Sequence, residues 1–181
     1  MESRVTWDGK YSGISIDWGK FVLDPANKGY FAQAFAGADS IIDNTGESIL
    51  RQIFNSFEAQ SLINHLHNIK GRVGFDGMAI FLVLKNKDVL DEKLYSRISK
   101  FKKSRNLVLH NVEAEYKLVD YSEMKDIKDQ ASYDSKVQTK ASEHLREAFN
   151  IFEDLLAVMD KVHGHEKEYL MKGLGSQKKT K

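Results

Sequence analysis

Arg105, Asn106 and His110 are the residues of this chain whose types and spacing best fit work on a phosphodiester. An arginine can hold two phosphate oxygens at once. An imidazole moves a proton near neutral pH, and an asparagine can orient that imidazole or donate to an oxygen. Arg105 lies in an otherwise apolar seam, Leu94, Ile98, Phe101, Arg105 and Val108, with spacings of four, three, four and three. An arginine in such a seam needs a partner or a polar surface to face. Lys103, Asn106 and His110 follow one another at i, i+3 and i+7 and share a second face, with Lys102 four residues before Asn106. Between Arg97 and His110 there are five positive residues (Arg97, Lys100, Lys102, Lys103 and Arg105) and no acid. The local field is therefore expected to be basic, with Lys100, Lys102 and Lys103 drawing in a phosphate backbone in a salt-dependent way.

The spacing of Arg105 and His110 constrains the geometry. Five residues along a continuous helix amount to about 140° of rotation and about 7.5 Å of rise, so the two would not point the same way. Either the helix ends or bends before His110, or a second copy of the chain completes the site. A seam containing Arg105 at a two-fold helix interface would bring two arginines and two histidines together.

The stretch from Asn86 to Asn111, NKDVLDEKLYSRISKFKKSRNLVLHN, resembles the signature segment of HEPN domains. The family motif is Arg, four to six residues, then His, often with a polar residue directly after the Arg. Arg105-Asn106-Leu107-Val108-Leu109-His110 matches its short form, and the preceding turn and lysine-rich helix are similar to the family's approach to the motif. The resemblance covers residues 79–111. It implies a helical bundle and a metal-independent endoribonuclease, in which the RNA 2′-oxygen attacks the adjacent phosphorus to give a cyclic phosphate. Arg105, Asn106 and His110 would be catalytic, Lys100, Lys102 and Lys103 would bind RNA, and no cofactor would be needed. It further implies a homodimer with the site at its interface, a toxin or antiviral defence role, and a protein antitoxin or regulator as partner. In some toxin members a tyrosine two residues after the His is modified by a partner enzyme; Val112 occupies that position here, so this mode of inactivation is not carried over. The alternative is a non-catalytic HEPN-like dimer that binds nucleic acid or protein. A nuclease needs Arg105 and His110 facing an open basic cleft, a binding module needs only the basic face, and a purely structural bundle would bury Arg105 against acids.

The elements that must position these residues read as helices. The chain has a single proline, Pro25, which leaves long segments free to be helical. The expected fold is all-α, a HEPN-like bundle of four to six helices over residues 30–172, with an irregular N-terminal arm at 1–29 and a basic tail at 173–181. The arm holds Trp7 and Trp18, four of the twelve glycines, and an Asp8-Gly9 turn signal for a short hairpin; its tryptophans are expected to anchor it to the core. Tyr30 to Ile42 is expected to be one helix, stopped by Asp43-Asn44-Thr45-Gly46, and Glu47 to Lys70 a longer one. A glycine-bearing loop follows, with Gly71, Gly74 and Gly77. Met78 to Lys85 is apolar enough to be a buried strand or a buried helix, and helix is the expectation because no strong strand exists to pair with it. Asp91 is the expected N-cap of a helix reaching His110. Residues 111–134 carry seven acids against three lysines and are expected to form a loop with one short helical piece. The last long helix is expected from about Asp134 to Lys161, with Ala141, Leu145, Ala148, Phe152, Leu155 and Met159 on one face and Gly164 breaking it.

Composition narrows the function classes. The 181 residues carry 27 Lys plus Arg and 26 Asp plus Glu, so nucleic acid would be drawn to a local patch and not to the chain as a whole. With no cysteine, a disulfide framework, thiolate metal ligands and cysteine catalysis are excluded. No apolar run approaches the roughly 20 residues that span a bilayer, and residues 1–8 carry no apolar stretch of a leader; the expected location is the cytoplasm. His65 and His67, two apart on a helix, face roughly 200° away from each other and would not chelate together. His163 and His165, near Glu166 and Glu168, read as solvated residues at a helix end, and Gly71, Gly74 and Gly77 lack the Gly-Lys-Ser/Thr of a phosphate loop.

Overall fold

A computed structural model describes the backbone of residues 18–54, 56–73, 78–110 and 129–176, together with Leu118 and Ile127; side chains are described for these residues other than 56, 66–73, 110 and 165–176. The fold is all-α. A π-helical turn, Gly19–Leu23, runs into the short helix α1 (Asp24–Asn27). Then come α2 (Phe31–Ile53), α3 (Ser56–Val73), α4 (Met78–Asn86), α5 (Glu92–His110) and α6 (Gln130–Ser176). Residues 19–27 of the expected arm are thus helical, and the hairpin expected around Asp8-Gly9 lies outside the described residues.

Helix α2 is the centre of the bundle, packed against the π-helical turn, α1, α3, α4, α5 and α6. It follows from an apolar stripe, Phe31, Ala34, Phe35, Ala38, Ile41, Ile42, Ile49 and Leu50, all buried. Gly29, at φ 79°, turns the chain after α1 so that α2 can start. The expected break at Asp43-Asn44-Thr45-Gly46 does not occur. The Thr45 hydroxyl donates to the Ile41 carbonyl at 2.8 Å and Ser48 to that of Asn44 at 2.8 Å, so these polar side chains are absorbed within the helix. Gly46 is there for packing and not for a turn: a Cβ on it would stand 2.7 Å from the Phe81 ring of α4. The chain breaks instead at Phe54, which is extended at ψ 151°.

The apolar run 78–86 is a helix, as expected, with Met78, Ala79, Ile80, Phe81 and Leu84 buried. Its end is a Schellman turn. Val89 N–H donates to the Leu84 carbonyl at 3.0 Å and Asp88 N–H to that of Lys85 at 2.9 Å, with Asp88 at φ 57°. Aspartate tolerates that left-handed conformation better than most residues. The turn delivers the chain to Asp91, whose carboxylate caps α5 by accepting from Leu94 N–H at 2.7 Å.

In α5 the seam is buried as expected at Leu94, Ile98, Phe101 and Val108. Phe101 stacks on Phe35 of α2 with ring centroids 5.9 Å apart and planes 9° from parallel, which fixes the register of α5 on α2. Helix α6 begins where the Asp129 carboxylate accepts from Ser132 N–H at 2.8 Å, and its Val137, Ala141, Leu145, Ala148, Ile151, Phe152, Leu155 and Leu156 are buried. Against Phe152 lies Trp18, stacked at 5.6 Å, with Phe149 edge-on at 5.2 Å, so Trp18 is a core anchor; Trp7 lies outside the described residues. Gly164 does not end α6, which continues to Ser176. An interior glycine costs a helix only about 1 kcal/mol relative to alanine, too little to stop one surrounded by good helix formers. The 47 residues of α6 span about 70 Å. Among the described residues no helix is long and apolar enough to cross a membrane.

Candidate functional site

Helix α5 meets α2 through charge as well as through Phe101. Asp39 and Asp43, one turn apart on α2, bracket the Lys102 ammonium, which donates to Asp39 Oδ1 at 2.7 Å and to Asp43 Oδ1 at 2.8 Å. The Lys102 ammonium also stands 5.6 Å from the centroid of the Phe81 ring. The second oxygen of Asp39, Oδ2, takes Arg105 Nη2 at 2.8 Å. Arg105 Nη1 in turn donates to Asn106 Oδ1 at 2.6 Å. The arrangement is a chain of four charges, two of each sign, closed at its outer end by a neutral amide. Asp39 and Lys102 are buried, while the Arg105 side chain keeps 23% of its exposure. An ammonium withdrawn this far from water requires two such acceptors, because an unpaired buried charge would neutralise or unfold the site.

Of the expected site residues, Arg105 and Asn106 are together and in contact. Lys102 is not on an RNA-facing surface: residue 102 points at α2, where the two carboxylates hold it, so it has no exposed charge to offer a phosphate backbone. Lys100 and Lys103 are exposed. His110 ends α5, and its side chain lies outside the described residues. The helix is continuous to His110, so it does not end first, and the Arg105 and His110 backbone positions face about 140° apart. Asn106 bridges that angle. It bonds Arg105 on one side and precedes His110 by one turn, on the face shared with Lys103.

The expected basic field is also reduced. Arg97 Nε donates to Glu147 of α6 at 2.6 Å and its Nη1 pairs with Asp154. Of the five positive residues between Arg97 and His110, Arg97, Lys102 and Arg105 are therefore matched by acids of α2 and α6. The carboxylates Asp39 and Asp43 were not singled out by sequence reasoning. The signal available was an acid inside the apolar stripe of α2, next to Ala38 and Ile42, repeated one turn later. It mirrors the Lys102 and Arg105 pair set into the seam of α5.

Elsewhere, His144 of α6 lies against Phe35, with centroids 6.3 Å apart. Burial lowers its pKa below the ordinary imidazole value; Glu143 and Glu147 oppose that shift and Lys140 adds to it. Among the described residues no three His, Asp or Glu side chains are grouped to hold a metal ion. Comparison of the chain with protein-family models, with curated proteins and with solved structures finds no match in any of the three.

Proposed function

We propose that this chain is a HEPN-like, metal-independent endoribonuclease acting in the cytoplasm, in a toxin or defence role, with Arg105, Asn106 and His110 at its catalytic centre. The observation that supports this reading is the hold on Arg105. Its guanidinium is fixed by Asp39 at 2.8 Å and Asn106 at 2.6 Å, on a side chain that keeps 23% of its exposure. A guanidinium oriented before substrate arrives loses little rotamer freedom on meeting a phosphate. In the reaction, the 2′-oxygen forms a bond to phosphorus and the bond from phosphorus to the 5′-oxygen breaks. A base takes the 2′-hydroxyl proton and an acid returns one to the 5′-oxygen; His110 fills one of these roles. Arg105 balances the extra negative charge on phosphorus in the transition state. Because Arg105 and His110 diverge on one helix, the reading takes Arg105 from one copy and His110 from a second across a two-fold axis.

One observation favours a second reading. Asp39 already matches the charge of Arg105, as in a bundle that uses its arginine for stability, and a non-catalytic dimeric HEPN-like module binding nucleic acid or protein would need no more. Labelled RNA incubated with the pure protein in excess EDTA separates the two. The nuclease reading expects cyclic-phosphate ends that disappear in both Arg105→Ala and His110→Ala. Cleavage equal in wild type and variants refutes the site, and no cleavage across varied RNAs leaves the module.

A further inference from the structure

We propose that Asp39 is the positioning residue for Arg105, and that its sharing of one carboxylate between two cations fits the guanidinium to receive an oxyanion. This rests on the reading of Arg105 as the arginine that meets the phosphate.

A carboxylate facing an arginine ordinarily takes it with both oxygens, in two parallel hydrogen bonds. Asp39 cannot, because its Oδ1 holds Lys102 at 2.7 Å and only Oδ2 is left for Arg105 Nη2, at 2.8 Å. Asn106 Oδ1 takes Nη1. Both Nη atoms are thus fixed, which sets the plane of the guanidinium. Its Nε–H is buried and has no acceptor among the described residues. A phosphate oxygen therefore cannot reach Nε; the Arg105 side chain keeps 23% of its exposure, and each Nη has a second hydrogen to offer an oxyanion there. Lys102 has a part in this without touching substrate. By occupying Oδ1 it prevents Asp39 from closing on Arg105 with both oxygens. The backbone supports the arrangement, since Asp39 and Asp43 are one turn apart on α2 and Lys102 and Arg105 are three apart on α5.

The test compares Asp39→Asn with Asp43→Asn. Each removes one carboxylate from the Lys102 ammonium and the same charge from the cluster, but only Asp39 is bonded to Arg105. In the 15N-labelled full chain, the Arg105 Nε–Hε resonance, identified by its loss in Arg105→Lys, is expected to stand apart from the solvent-exposed arginines. It should collapse toward them in Asp39→Asn and stay in place in Asp43→Asn. In metal-free RNA cleavage, kcat of Asp39→Asn is expected to fall about 100-fold, the scale of a misplaced catalytic group, with KM within threefold, while Asp43→Asn stays within threefold on both. A resonance unmoved in Asp39→Asn, or equal changes in the two variants, overturns the proposal. If Asp39→Asn does not fold, Asp39→Asn with Lys102→Met removes one charge of each sign and carries the same measurement. A wild-type chain inactive on RNA removes the nuclease reading alone, and the resonance still decides the positioning.

Discussion

Replacing Lys102 by methionine tests whether the α2–α5 contact depends on charge. Methionine keeps most of the volume and apolar stem and deletes the ammonium. Asp39 retains Arg105 at 2.8 Å, but Asp39 and the 15%-exposed Asp43, one turn apart, both lose the ammonium that stands between them. Removing one partner of a buried ion pair costs about 3–5 kcal/mol. Residual exposure of Asp43 and the remaining Arg105 pair place the expected loss at the lower end, about 3 kcal/mol. With a urea m-value of about 2 kcal/mol/M, the unfolding midpoint should drop by about 1.5 M at unchanged m. Lys102→Met with Asp43→Asn removes one of the two carboxylates as well, and should recover part of that loss, because an apolar or neutral replacement of a whole buried pair is often nearly neutral. A loss below about 1 kcal/mol for Lys102→Met, the scale of an exposed pair, refutes the reasoning. So does a double variant no better than the single, since the cost would then belong to packing and not to the two carboxylates that lost their shared ammonium.

Two further outcomes follow from particular contacts. Gly37→Ala places a Cβ 2.3 Å from the Phe21 backbone carbonyl oxygen, where no flexible side chain can give way. The π-helical turn must shift off α2, and the melting temperature should fall by an amount equivalent to about 1–3 kcal/mol, with Gly37→Ser at least as damaging. His144 is held neutral by burial against Phe35, so the unfolded chain takes up its proton first as pH falls below about 6.5. Stability should therefore decline from that point until the lower folded value is passed, and then level off. His144→Gln should flatten this part of the stability profile, and parallel curves for the two proteins between pH 7 and pH 5 would refute it.

The periodicity of apolar residues sufficed to locate α5 and most of α6, because a stripe at three and four is a direct consequence of one helix face being buried; α4 followed instead from the lack of a strand to pair with its apolar run. Periodicity placed Leu94, Ile98, Phe101 and Val108 correctly, and with them the position of Arg105. Reading breaks from composition was less successful. Asp43-Asn44-Thr45-Gly46 has turn chemistry, yet Thr45 and Ser48 satisfy their hydroxyls on carbonyls one turn back, and Gly46 makes room for Phe81. That need arises on α4, more than thirty residues later, and has no local signature. The same non-locality hid Asp39. Its partner Lys102 is 63 residues away, and only the pairing of α2 with α5 makes an acid in an apolar stripe meaningful.

The charge distribution gives the site its character. A lysine-rich α5 read in isolation is a basic surface, but folding commits Arg97 to Glu147 and Asp154, and Lys102 and Arg105 to Asp39 and Asp43. Exposed Lys93, Lys100 and Lys103 remain to carry long-range attraction. If such a surface binds RNA, the affinity should be modest and its salt dependence shallow, since the slope counts the phosphates that exposed cations neutralise. Specific action on a phosphodiester must then come from short-range geometry. That places the weight on how Asp39 and Asn106 hold one guanidinium. It also makes fold and site share a group: the carboxylate that secures α5 against α2 is the one that orients Arg105.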